Sequence, residues 1–126
     1  MSLYNKTVMD HFQNPRNLQE MKNPDALGMG ANPICGDVMT LYLRIEGNKI
    51  KDASFKTMGC GAAIASGSIL TEILKGKTIS EAGQITPEKL LEALGGLPAI
   101  KMHCPELAVE ALQKTLKAAH QQPERA

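Results

Sequence analysis

Apolar and polar positions alternate most regularly between residues 38 and 58. Met39, Leu41, Leu43 and Ile45 alternate with Val38, Thr40, Tyr42 and Arg44, a period of two that fits a strand with one buried face. Gly47-Asn48 supplies a tight turn with positive φ at its first position. Lys49–Met58 returns as the partner strand with Ala53 and Phe55 in phase, and the misphased Ile50 predicts a bulge. From residue 62 the period lengthens. Ala62, Ala63, Ile64, Ala65, Ile69, Leu70, Ile73 and Leu74 form a broad helical stripe, with Ser66, Thr71, Glu72 and Lys75 opposite and Gly76 as the stop.

Ser80 opens a short helical turn, and Thr86-Pro87 begins a further helix that carries Leu90, Leu91 and Leu94 to Gly95-Gly96. The last helix starts with Cys104 as N-cap and Pro105 at the first position. Leu107, Ala108, Ala111, Leu112, Thr115, Leu116 and Ala119 share one of its faces. At the other end, residues 3–13 read as a helix with Leu3, Val8, Met9 and Phe12 as its apolar stripe, ended by Asn14-Pro15. Residues 14–33, rich in Asn, Pro and Gly, predict an irregular segment with a short edge strand near 26–30. The tail from Gln121 is polar.

A chain of 126 residues suits one α+β domain, 1–126. Aromatic residues are only 3% and Trp is absent, so the core must be aliphatic and no surface is available for stacking nucleobases. Fourteen basic side chains against 13 acidic ones leave a net charge of +1, too little to attract nucleic acid or an anionic membrane. The amino terminus has no continuous apolar region of the secretory kind, and no apolar run is long enough to span a bilayer. The expected location is cytoplasmic, where disulfides rarely persist. The cysteine count is three, an odd number. Reactive thiols or metal ligands are left.

Each of Cys35, Cys60 and Cys104 neighbours a glycine or proline, and Asp37 and His103 lie close by in sequence. Together they are the donor set of one metal or iron–sulfur site. Three thiolates with one harder fourth ligand suit a cluster that is made and released, whereas permanent electron carriers use four thiolates. Cys60 and Cys104 stand at predicted helix starts, where free N–H groups and the helix dipole favour the thiolate. Cys35 sits in a loop before the first long strand, and Gly36, Gly59 and Gly61 allow backbone N–H groups to approach the sulfurs. His11 and His120 have no thiol neighbours in sequence and read as surface residues.

The segments NPICGD (32–37), FKTMGCGAAIASGS (55–68) and LPAIKMHCPELA (97–108), with the opening Tyr4, Asp10-His11-Phe12 and Asn14-Pro15-Arg16-Asn17, resemble the signatures of the IscU/NifU-type iron–sulfur cluster scaffold proteins. The resemblance spans nearly the whole chain and favours the IscU-like branch, since His103 is present and no insertion separates the second and third segments. It implies a SufE/NifU-like α+β fold, a small three-stranded antiparallel sheet with helices packed on one side. It also implies a [2Fe–2S] cluster on Cys35, Cys60 and Cys104, with Asp37 or His103 as the fourth ligand, and Cys104 as the acceptor of persulfide sulfur. The implied partners are a cysteine desulfurase and recipient apo-proteins, in many lineages with a DnaK-type chaperone and its J-protein. The segment containing Leu97, Pro98 and Lys101 would meet that chaperone, but it reads LPAIK where bacterial relatives have LPPVK, and losing a proline loosens the extended form. Homodimer and homotrimer both stay open.

Three rival readings accompany this one. Zinc suits three cysteines plus Asp or His, which would make the chain a SufU-like zinc-binding sulfur acceptor. Cys104 beside His103 could form a thiol–imidazole nucleophile pair. An adaptor domain with incidental cysteines is the third.

Overall fold

In a computed structural model, residues 4–32, 36–97 and 103–120 are described. Helix α1 (Lys6–Gln13) precedes strands β1 (Ala26–Asn32), β2 (Asp37–Glu46) and β3 (Lys49–Met58). Helices α2 (Gly61–Leu74), α3 (Ile79–Ala82), α4 (Pro87–Leu94) and α5 (His103–His120) follow. The strands form an antiparallel sheet in the order β1-β2-β3. Met39, Leu41 and Leu43 have no exposed surface, as the alternation predicts. Gly47 closes the hairpin at φ 66. The predicted bulge is present: Arg44 pairs with Asp52 but Ile45 with Ile50, leaving Lys51 extra and turning Ile50 into the core.

The glycines of β1 decide where α5 lies. A Cβ on Gly28 would come 2.5 Å from the Thr115 backbone nitrogen, and one on Gly30 2.7 Å from the Leu107 carbonyl oxygen. Any side chain there would push the helix off the strand, so α5 rests directly on the backbone of β1. Gly28 pairs with Leu41, and Leu41 pairs with Phe55, whose ring abuts Gly67 of α2. Helices α2 and α5 therefore cover the same face of the sheet, as the family resemblance implies. On the other face Leu27 and Met29 are exposed, while Arg44 reaches across to the carbonyls of Lys22 and Asn23 at 2.7 and 3.3 Å.

Two expectations about helices need correction. Of the residues expected opposite the apolar stripe of α2, Glu72 and Lys75 are exposed but Ser66 and Thr71 are fully buried, as is Ser68. The helix is wrapped by β3, α1, α4 and α5, and the Ser66 and Thr71 hydroxyls donate to the carbonyls of Ala62 and of Gly67 and Ser68 within the helix. In α1 only Val8 is buried, and Phe12 is 41% exposed. Polar ties hold this helix instead. Asn5 caps it through the Val8 N–H and donates to the carbonyls of Leu94 and Gly96.

His11 is likewise not a surface residue. It is half-buried, with Nδ1 2.7 Å from the Ser68 hydroxyl, which also accepts from the Arg16 N–H. Burial holds its pKa below the usual histidine value, and the Arg16 charge adds to this. The side chain of His120 lies outside the described residues. The short helix α3 is capped by Thr78 in a reciprocal bond with Glu81, two residues before the predicted Ser80.

Candidate metal centre

Three element junctions meet at one end of the sheet. Asp37 is the first residue of β2 and is buried. Cys60 is the extended N-cap of α2, and its carbonyl accepts the Ala63 and Ile64 N–H bonds that start the helix. His103 and Cys104 open α5. Cys104 is thus inside the first turn rather than at the N-cap, and Pro105 still occupies a first-turn position, where its missing N–H goes unused. Cys60 is half-buried and Cys104 has no exposed surface.

Cys104 Sγ lies 3.8 Å from Cys60 Sγ and 3.7 Å from His103 Nε2, and that nitrogen lies 3.7 Å from Asp37 Oδ2. Asp37, His103 and Cys104 each offer a donor atom within 4.8 Å of the other two. Elementary geometry gives these distances meaning. Two thiolates about 2.3 Å from one tetrahedral ion stand about 3.8 Å apart, and a thiolate and an imidazole nitrogen on it about 3.6 Å apart. The site matches both edges, and the nitrogen–oxygen edge is a few tenths of an ångström longer than the roughly 3.4 Å of a closed tetrahedron.

The same distances argue against a thiol–imidazole nucleophile. A catalytic relay places the nucleophile on one ring nitrogen and the orienting carboxylate on the other. Here Cys104 and Asp37 both approach Nε2. Converging on one point is what ligands do.

Cys35, Pro98 and Lys101 lie outside the described residues; Leu97 is half-buried against the core. Two further features border the site, the Phe12 ring and a groove beside His103. The Phe12 ring lies over Gly61, where a Cβ would meet it at 2.9 Å, so α1 reaches the edge of the centre. A groove of about 440 Å³ beside His103 is lined by Ala31, Asn32, Glu106, Leu107 and Glu110, and the Ala31 N–H donates to Glu110. Helical spacing from His103 does place residues 106 and 110 on its face. The sequence marks Phe12 only as part of the α1 stripe and of the amino-terminal motif, not as a neighbour of the site.

The family model described as NifU-like N terminal domain matches residues 3–126. The chain belongs to that family. It is 51% identical over 114 residues to the iron–sulfur cluster assembly scaffold protein IscU 1 of Archaeoglobus fulgidus, covering 90% of this chain and 74% of that one. The iron–sulfur cluster assembly scaffold protein IscU of Haemophilus influenzae is 44% identical over 117 residues, covering 90% and 92%. A solved structure, a candidate scaffold of the SUF system from Fervidobacterium islandicum, superposes with a TM-score of 0.75 at 27% identity, covering 90% of this chain and 96% of that one. Within the NifU-like family the curated relatives named here are scaffold proteins of the IscU kind, which does not favour the SufU-like zinc acceptor. Among the described residues no helix is long and apolar enough to cross a membrane.

Proposed function

We propose that this chain is a scaffold on which an iron–sulfur cluster is assembled and passed on, a carrier rather than an enzyme. The observation that carries this reading is the convergence of Cys104 and Asp37 on His103 Nε2, with Cys60 at tetrahedral distance from Cys104. The cargo is a [2Fe–2S] cluster on Cys35, Cys60 and Cys104 with Asp37 or His103. A carboxylate is a hard ligand among soft donors and exchanges more readily than a thiolate, which makes Asp37 the point of release. Sulfur comes from a cysteine desulfurase as persulfide, with Cys104 as acceptor, and recipient apo-proteins take the finished cluster in the cytoplasm. Cys104 is enclosed, so its surroundings must open before the donor reaches it.

The test is anaerobic reconstitution with iron and sulfide, followed by transfer to an apo-ferredoxin. Wild type should bind iron and sulfide in equal amounts with visible absorption. Asp37→Ala should keep its cluster longer and donate it more slowly. A colourless wild type, or an Asp37→Ala protein donating as fast or faster, would overturn the reading.

A further inference from the structure

We propose that Cys60 is a resolving thiol: it releases hydrosulfide from a persulfide on Cys104 by forming a Cys60–Cys104 disulfide. This rests on the reading of Cys104 as sulfur acceptor. Sulfur delivered as persulfide must gain two electrons to become sulfide, and a reductant in contact with Cys104 is already present in the chain. The Cys60 sulfur is 3.8 Å away, so about 1.8 Å of approach reaches the ~2.05 Å of a disulfide. Cys60 is free to make that movement in one respect, because its side chain makes no capping hydrogen bond to α2.

The step balances within the pair. The Cys60 thiolate attacks Sγ of Cys104, the sulfur–sulfur bond of Cys104–S–SH breaks, and HS⁻ leaves with the proton the persulfide carried. The outer sulfur is reduced by two electrons while the two cysteine sulfurs are oxidised to the disulfide. Attack on the outer sulfur would only relocate the persulfide to Cys60; attack on the inner one expels hydrosulfide, a weaker base than a cysteine thiolate and so the faster leaving group. The disulfide removes two metal ligands, so a dithiol reductant must reopen it by exchange before metal binds. Sulfide release and metal binding therefore alternate at one site.

The experiment uses the whole chain, reduced and metal-free, loaded with inorganic polysulfide in the absence of desulfurase, iron and reductant. Evolved sulfide is quantified and the thiols are mapped by peptide mass spectrometry. Wild type and Cys35→Ser should release sulfide and show a Cys60–Cys104 bridge. Cys60→Ser and Cys60→Ala, both checked for native circular dichroism, should retain the extra sulfur on Cys104 and release sulfide about tenfold more slowly. Undiminished release from both Cys60 variants, a stable persulfide in wild type, or a bridge containing Cys35 would overturn the proposal. Failure of Cys104 to load at all would sink the acceptor assignment and the resolving role together. Cluster reconstitution from free sulfide needs no persulfide, so it tests the scaffold reading separately.

Discussion

Replacing Gly67 by alanine sets two effects of opposite sign against each other in the helix that carries Cys60. Alanine in a helix interior is favoured over glycine by up to about 1 kcal/mol, which alone would stabilise α2. The new methyl group, however, would stand 2.4 Å from both Cδ2 and Cε2 of Phe55 and 2.9 Å from Cζ. Carbon atoms in contact prefer about 3.5–4.0 Å, so the ring or the helix must retreat by more than about 1 Å. Phe55 has no exposed surface and is paired with Leu41 in the sheet, which leaves the rigid ring nowhere to go. Overpacking of this kind costs about 1–3 kcal/mol, and a clash this deep belongs at the upper end. The net loss should be about 1–2 kcal/mol, or about 3–8 °C in Tm for a chain of this size.

Urea unfolding of the reduced, metal-free protein followed by circular dichroism measures the effect. Gly83→Ala is the control: its φ is −65, a new Cβ would meet nothing closer than 3.5 Å, and it should stabilise by about 0.4–1 kcal/mol. A Gly67→Ala protein as stable as wild type would refute the packing account. If α2 is the part that retreats, the variant should also slow sulfide release, because Cys60 leaves Cys104 behind.

Two further predictions follow from the surroundings of the site. Burial depresses the His11 pKa below the ordinary histidine range, so the unfolded chain takes up the proton first and stability should fall as pH drops through about 6.5 and below. His11→Gln should flatten that decline in urea midpoints measured between about pH 7.5 and 5.5, and parallel curves for the two proteins would remove His11 as its source. In Gly59→Ala a Cβ would stand 3.1 Å from Asp37 Cγ and 3.0 Å from Ala63 Cβ, so the carboxylate must yield by a few tenths of an ångström. Metal affinity, read by cobalt absorption, should fall about tenfold with the fold intact; unchanged affinity would give the fourth position to His103.

The hairpin was legible because its face alternates cleanly and one misphased isoleucine marks the bulge. α5 was legible because seven apolar or small positions share a face. α2 misled because a stripe argument assumes one wide open side, whereas this helix is packed on most of its surface and its hydroxyls bond back to its own backbone. The edge strand was legible only as a fragment. Gly28 and Gly30 count against a strand in propensity, yet they are what the close approach of α5 requires. At the site, Cys60, Cys104, Asp37 and His103 stood out by residue type and by position at element ends. Their mutual distances did not, because nothing local in a sequence says that residues 44 apart will bring two sulfurs into contact.

The way the donors are mounted also says which of them gives way. Cys60 and Cys104 open α2 and α5, and the first turns of both helices are pinned in the core by Ala62, Ala63, Leu107 and Ala108. Moving either sulfur far means moving a helix. Asp37 is mounted differently, at the first residue of a strand and directly after Gly36, whose φ is 76 and around which a side chain would meet nothing within 4 Å. On the proposed ligand set, the hard donor is thus also the one not carried by a helix. Loss of cargo should therefore begin at the start of β2 and leave the two helix-borne thiols in contact, poised for the next round of sulfur chemistry.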